Sequence, residues 1–118
     1  MIRMTIALTR QEHLSLEQFQ AYWRNEHATL VRDLAETLGI KRYVQSHVIA
    51  PEKLKNGQYY QSPYDGLAEV WYLSYPDFLK HISSSAGKEA AKRLSADERR
   101  FAQQPLSRTW WSNEHAVI

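Results

Sequence analysis

Hydrophobic and polar positions alternate from the first residues of the chain. Ile2, Met4, Ile6 and Leu8 interleave with Arg3, Thr5, Ala7 and Thr9, the period of two that predicts a β-strand. Arg10 to Leu14 is a short polar connection, after which the period changes. Leu16, Phe19, Trp23, Leu30 and Leu34 recur at spacings of three, four and seven, one stripe of an amphipathic helix that must be buried. Ser15 is placed to cap the first turn, Gln18 completes a capping box, and Leu14 is placed to staple onto Phe19. Gly39 can take the left-handed conformation that ends a helix, with Ile40 placed to touch Leu34. His27 lies inside the stripe, between Trp23 and Leu30. A titratable imidazole on a core-facing surface is the most informative feature of the chain.

A second strand is expected from Lys41 to about Ile49, with Tyr43, Gln45 and His47 on one face and Val44, Ser46 and Val48 on the other. Pro51 ends it. The segment from Ala50 to Asp65 has no periodicity but carries Tyr59, Tyr60 and Tyr64, as a binding loop or lid would. Asp65-Gly66 turns into a third strand, Leu67–Tyr72, with Leu67, Glu69 and Trp71 opposite Ala68, Val70 and Tyr72. Ser74 or Tyr75 opens a second helix with Phe78, Leu79 and Ile82 as its apolar side. The Ser83-Ser84-Ser85 cluster interrupts it, and Gly87 to Leu94 reads as a further helical piece. Ser95-Ala-Asp-Glu98 has the form of another capping box leading to Phe101. Pro105 breaks that turn, and Thr109, Trp110 and Trp111 form a last strand.

Strand, helix, strand, strand, helix, strand is the α+β order of a ferredoxin-like plait, βαββαβ. It folds most simply into a four-stranded antiparallel sheet with helices on one face. The other face would carry Val44, Val48, Trp110 and Trp111, too apolar for water. A second copy is expected to cover it, giving a homodimer through the sheet faces.

Composition narrows the class. The 118 residues suit a single domain spanning 1–118. The formal charge of +2 comes from scattered Lys and Arg, not the basic face a nucleic-acid binder needs. The chain has no Cys, which excludes disulfide and thiolate chemistry and fits a reducing cytoplasm. No signal peptide and no apolar run of membrane-spanning length is present, so a cytoplasmic protein without a membrane partner is expected.

His27 has two readings: a structural imidazole satisfied by its neighbours, or a general base. Tyr43 is either a core aromatic or a donor to a substrate carbonyl. Glu69 alternates with Leu67 and Trp71 on a central strand, where a carboxylate must be paired; Arg42, Arg108 and His47 are the candidate partners. Asp65 is a turn former, or an orienter of His27. The five His include no metal-site spacing, and neither a phosphate-cradling Gly loop nor a dinucleotide fingerprint occurs, so no metal and no cofactor is expected.

A first strand ending in Arg is followed by Ser15-x-x-x-Phe19-x-x-x-Trp23-x-x-x-His27. Next come Lys41-x-Tyr43, Tyr64-Asp65-Gly66-x-x-Glu69-x-Trp71 and Asp97-Glu98-x-x-Phe101. Together these resemble the EthD family of the dimeric α+β barrel superfamily. The resemblance implies a homodimer whose sheets close a barrel, each subunit with a pocket between sheet and helices. EthD itself resembles an accessory protein of ether degradation, and relatives include dehydratase-type enzymes of aromatic polyketide pathways. Related muconolactone isomerases and methylmuconolactone methylisomerases act without a cofactor. In the methylisomerase a helix-one His and a strand-two Tyr serve the site, and His27 and Tyr43 match them. That enzyme also uses a Cys, which this chain lacks, arguing against the same reaction.

The resulting expectation is a cofactor-free isomerase or lyase (dehydratase or cyclase) acting on a small hydrophobic cyclic or polyketide-like carbonyl compound. His27, Tyr43 and Asp65 would be catalytic. Trp23, Tyr64, Glu69, Trp71 and Phe101 would bind substrate, under a gate formed by the Tyr59–Tyr64 loop. A non-enzymatic accessory or binding protein and a cofactor-free monooxygenase are the alternatives.

Overall fold

A computed structural model describes residues 1–54 and 61–118. Strand β1 (Ile2–Leu8) leads into one long helical run with three parts: α1 (Leu16–Tyr22), a π turn (Trp23–His27) and α2 (Ala28–Leu38). Strands β2 (Ile40–His47) and β3 (Gly66–Tyr72) follow, then α3 (Tyr75–Ser83), α4 (Ser85–Phe101) and β4 (Arg108–Ser112). The strands form a four-stranded sheet in the order β2-β3-β1-β4. Every neighbouring pair is antiparallel. This is the ferredoxin-like α+β plait. None of the described helices is long and apolar enough to cross a membrane.

Local signals account for the element ends. The Ser15 hydroxyl accepts from the Gln18 N–H and the Gln18 side chain accepts from the Ser15 N–H, a complete capping box. Gly39 closes α2 at φ 73°, the left-handed conformation that favours glycine. Ser84 ends α3 and caps α4, its hydroxyl accepting from the Gly87 N–H. Ser95 starts no helix; it lies inside α4, where its hydroxyl accepts from Arg99 and Gln104. The supposed capping box is therefore helix interior.

The π turn shifts the buried stripe. Phe19, Trp23 and His27 face the sheet as expected, but Val31, Leu34 and Leu38 continue the stripe and Leu30 is only partly buried. A π turn takes in an extra residue, so the helix beyond it is rotated and spacings of four stay in phase. In β2 a register shift between Ile40 and Arg42 does similar work, because it lets Ile40 and Tyr43 both face the helices.

The buried residues fall into two clusters. One holds Leu8, Phe19, Trp23, Ala68, Phe101 and Ala102; the other holds Leu34, Leu38 and Ala90. The space between them is not filled. On the far side of the sheet, Leu67 and Trp110 are exposed. Trp111, expected on that face, instead lies on the helix side, its ring 4.9 Å from Phe78 and 5.8 Å from Tyr72. Its strand partner Met4 points the same way, so alternation along β4 puts Trp110 alone on the open face.

Candidate functional site

A cavity of about 230 Å³ lies between the sheet and the helices. The sheet supplies Met4, Ile6, Leu8, Tyr43, Ala68, Val70 and Tyr72 to its wall. The helical run supplies Trp23, His27, Val31 and Leu38, and α3 and α4 close it with Phe78, Ile82, Ala91, Leu94, Ser95 and Glu98. Most of this lining is apolar. Burial pushes the Tyr72 phenol up to about 12.

His27 is buried, as its place in the stripe requires. Its Nδ1 is 2.7 Å from Asp97 Oδ2 on α4, and its ring meets Phe101 at 4.9 Å, edge-on. The Tyr22 hydroxyl donates to the other Asp97 oxygen at 2.6 Å. An ionised carboxylate only accepts, so Nδ1 carries the proton and a neutral imidazole leaves Nε2 with a free lone pair. Among the described residues Nε2 has no protein hydrogen bond. This is the arrangement of a general base with its orienting carboxylate.

Tyr43 lines the same cavity. Burial pushes its phenol up, the Glu98 carboxylate acts in the same direction, and hydrogen-bonding influence from Gln45 and Trp23 opposes both. Gln45 is held at three points. Its Nε2 donates to the Trp23 carbonyl at 2.8 Å and to the Tyr43 hydroxyl at 3.2 Å, and its Oε1 lies 2.8 Å from His47 Nε2. The Trp23 carbonyl is an acceptor only, so the amide orientation is forced and His47 must donate through Nε2. His47 stacks on Trp23 at 4.5 Å.

The remaining candidates lie elsewhere. Asp65 does not reach His27. It clamps Arg10, accepting from the Arg10 backbone N–H at 2.8 Å and facing its guanidinium at 3.0 Å. Asp97, not Asp65, is the carboxylate that meets His27. Glu69 and Trp71 lie on the opposite face of β3, because residues on that strand alternate with the cavity residues Ala68, Val70 and Tyr72. Glu69 pairs with Arg3 at 2.9 Å, not with Arg42, Arg108 or His47. Trp71 lies under the Arg42 guanidinium, 4.5 Å from its ring, and donates to Glu114. Phe101 backs His27 from outside the cavity, Tyr64 is half-buried outside it, and Trp23 lines it. Of the expected gate, Tyr59 and Tyr60 lie outside the described residues.

Sequence reasoning missed Asp97, Gln45 and Glu98 as site residues. Asp97 had a usable signal: it falls between Leu94 and Phe101 on the buried side of α4, a charge in an apolar stripe like His27. Reading Ser95 as a helix start concealed it. Among the described residues no group of three His, Cys, Asp or Glu is placed to hold a metal ion.

Comparison with known proteins agrees with this architecture. An EthD family protein from Bacillus halodurans superposes with a TM-score of 0.63 at 20% identity, covering 98% of this chain and 100% of that one. A dimeric protein of ferredoxin-like fold from Bacteroides fragilis gives 0.60 at 7% identity, covering 96% and 95%. SnoaB, a cofactor-independent oxygenase from Streptomyces nogalater, gives 0.56 at 10% identity, covering 99% and 95%. No curated protein matches the chain. The sequence profile of the EthD domain matches residues 11–105, the stretch that holds His27, Tyr43 and Asp97, and the chain belongs to the EthD family.

Proposed function

We propose that the cavity binds a small hydrophobic cyclic carbonyl compound and that His27 moves a proton on it. The observation that carries this reading is the buried His27 held 2.7 Å from Asp97 beside an apolar cavity that Tyr43 also lines. His27 Nε2 takes a proton from a carbon next to the carbonyl. The electron pair passes to the carbonyl oxygen, where the Tyr43 O–H donates to the developing enolate. Asp97 stabilises the imidazolium formed. Returning the proton to another carbon completes an isomerisation; giving it to a departing hydroxyl completes a dehydration. Both need only the chain's own side chains. A positioned imidazole base contributes about 10²- to 10⁴-fold.

The working unit in this proposal is a homodimer closed through the sheet faces. Leu67 and Trp110 are exposed there, and the solved Bacteroides fragilis neighbour is described as dimeric.

Deuterium uptake tests the chemistry without the natural substrate. Bicyclic and monocyclic ketones and lactones incubated with the protein in heavy water should exchange their α-hydrogens faster than in buffer. His27→Gln should return the rate to that of buffer while the protein stays folded. Exchange that persists in the variant would exclude His27 as the base. A cavity that binds such compounds without exchanging them would favour the accessory, non-enzymatic reading.

A further inference from the structure

Helix α4 presents Ala91, Leu94, Ser95 and Glu98 to the cavity. They stand at i, i+3, i+4 and i+7, a single face of the helix, so Glu98 points inward with the others. Its neighbour Asp97 turns instead to His27. A carboxylate in a mostly apolar wall must be offset by hydrogen bonds or by a partner charge. Glu98 receives little of either. One oxygen, Oε2, accepts from the Gln104 side chain at 2.9 Å. The other, Oε1, makes no hydrogen bond among the described residues and is not sealed in by protein atoms. Among the described residues no Lys, Arg or His forms an ion pair with it.

The carboxylate is held in place. The Gln104 amide that donates to Oε2 also donates to the Ser95 carbonyl at 3.2 Å and to the Ser95 hydroxyl at 3.0 Å, which ties Glu98 to the preceding turn of α4. Burial, and the Glu98 charge with it, hold the proton on the Tyr43 phenol. The wall therefore offers a ligand a donor in Tyr43 O–H and open acceptors in Glu98 Oε1 and His27 Nε2. A carbonyl oxygen uses the donor; the open carboxylate oxygen calls for an O–H or N–H on the ligand. An ammonium would bring three donors and a full charge into an apolar cavity, whereas a hydroxyl brings one donor and no charge.

We propose that Glu98 reads a hydroxyl group of the ligand, so that the substrate is a hydroxylated cyclic carbonyl compound whose O–H donates to Glu98 Oε1. A hydrogen bond from a hydroxyl to a carboxylate is short and charge-assisted, and so discriminates strongly. A compound without that hydroxyl leaves the carboxylate desolvated and unpaired. This role for Glu98 rests on the cavity being the ligand site proposed above, but not on proton transfer by His27.

The test uses 3- and 4-hydroxyacetophenone below the pKa of their phenols, each against the methyl analogue of nearly the same shape. In the full-length wild-type protein at least one hydroxy compound should bind about tenfold more tightly than its methyl analogue by calorimetry. Glu98→Leu should abolish that preference, weakening the hydroxy compound and leaving the methyl analogue within about twofold. Glu98→Gln can serve Gln104 with its oxygen but then turns N–H₂ to the ligand, and it should lose the preference too. That variant decides if Glu98→Leu does not fold. A preference that survives both substitutions would overturn the proposal, as would a parallel loss of both compounds. Wild-type protein that binds the methyl analogues with no preference for the hydroxyl overturns this role alone. Wild-type protein that binds none of the compounds overturns it together with the cavity as the ligand site.

Discussion

His27 and Asp97 are 70 residues apart in sequence and 2.7 Å apart in the fold. One comes from the π turn of the first helical run and the other from the buried side of α4, so the pair exists only once both helices lie on the sheet. The Tyr22 hydroxyl on the second Asp97 oxygen fixes the carboxylate as well as the ring.

Asp97→Asn tests that relationship. The amide keeps the shape but can present N–H₂ to Nδ1, which favours the wrong tautomer and gives no charge to support an imidazolium. Ketone α-exchange is expected to fall by about 10²-fold or more. Two-dimensional ¹⁵N spectra of the imidazole should show Nδ1–H in the wild type and a mixture in the variant. Unchanged tautomer and rate would remove Asp97 from the site.

Gly66→Ala places a methyl group 2.5 Å from Cζ3 and 2.8 Å from Cη2 of Trp23, a ring with no room to retreat. Overpacking of this kind costs about 1–3 kcal/mol. Urea unfolding should show that loss, and the near-ultraviolet dichroism of the indole should change with it. A variant as stable as the wild type would mean that the Trp23 ring is free to move.

His47 sets an acid-side limit on stability. Burial holds its imidazole below the ordinary value of 6.5, and the Arg24 charge adds to the effect. As the pH falls, the unfolded chain takes up this proton before the folded one. The contribution is therefore complete above about 6.5 and is lost as the pH drops from there through the lower native value. Urea midpoints should decline across that window, and His47→Asn should decline less. Equal slopes would assign the loss to other groups.

Trp110→Glu probes the open sheet face. Trp110 is 46% exposed in the single chain, and a carboxylate in its place would be buried unpaired if two sheets met there. Sedimentation should show a dimer for the wild type and a monomer for the variant. A monomeric wild type would end the sheet-to-sheet assembly.

Much of this protein was legible from residue order alone. Strand alternation, the Ser15–Gln18 capping box, the Gly39 stop and the Ser84 break are local effects, set by neighbours a few residues away. They were enough to specify the βαββαβ order, the inward face of β2, and His27 as a buried anomaly. Beyond reach was every relationship that depends on packing. Which carboxylate meets His27, which Arg neutralises Glu69, and which side of β4 carries Trp111 depend on how distant elements dock and pair. The π turn belongs to the same class, because the one-residue shift that brings Val31 into the core is selected by the sheet against which the helix lies. Short-range periodicity therefore determined the elements and their faces. The cavity and the side chains that meet around it were decided by tertiary contact, since His27 finds Asp97 and Gln45 finds Trp23 only across separate elements.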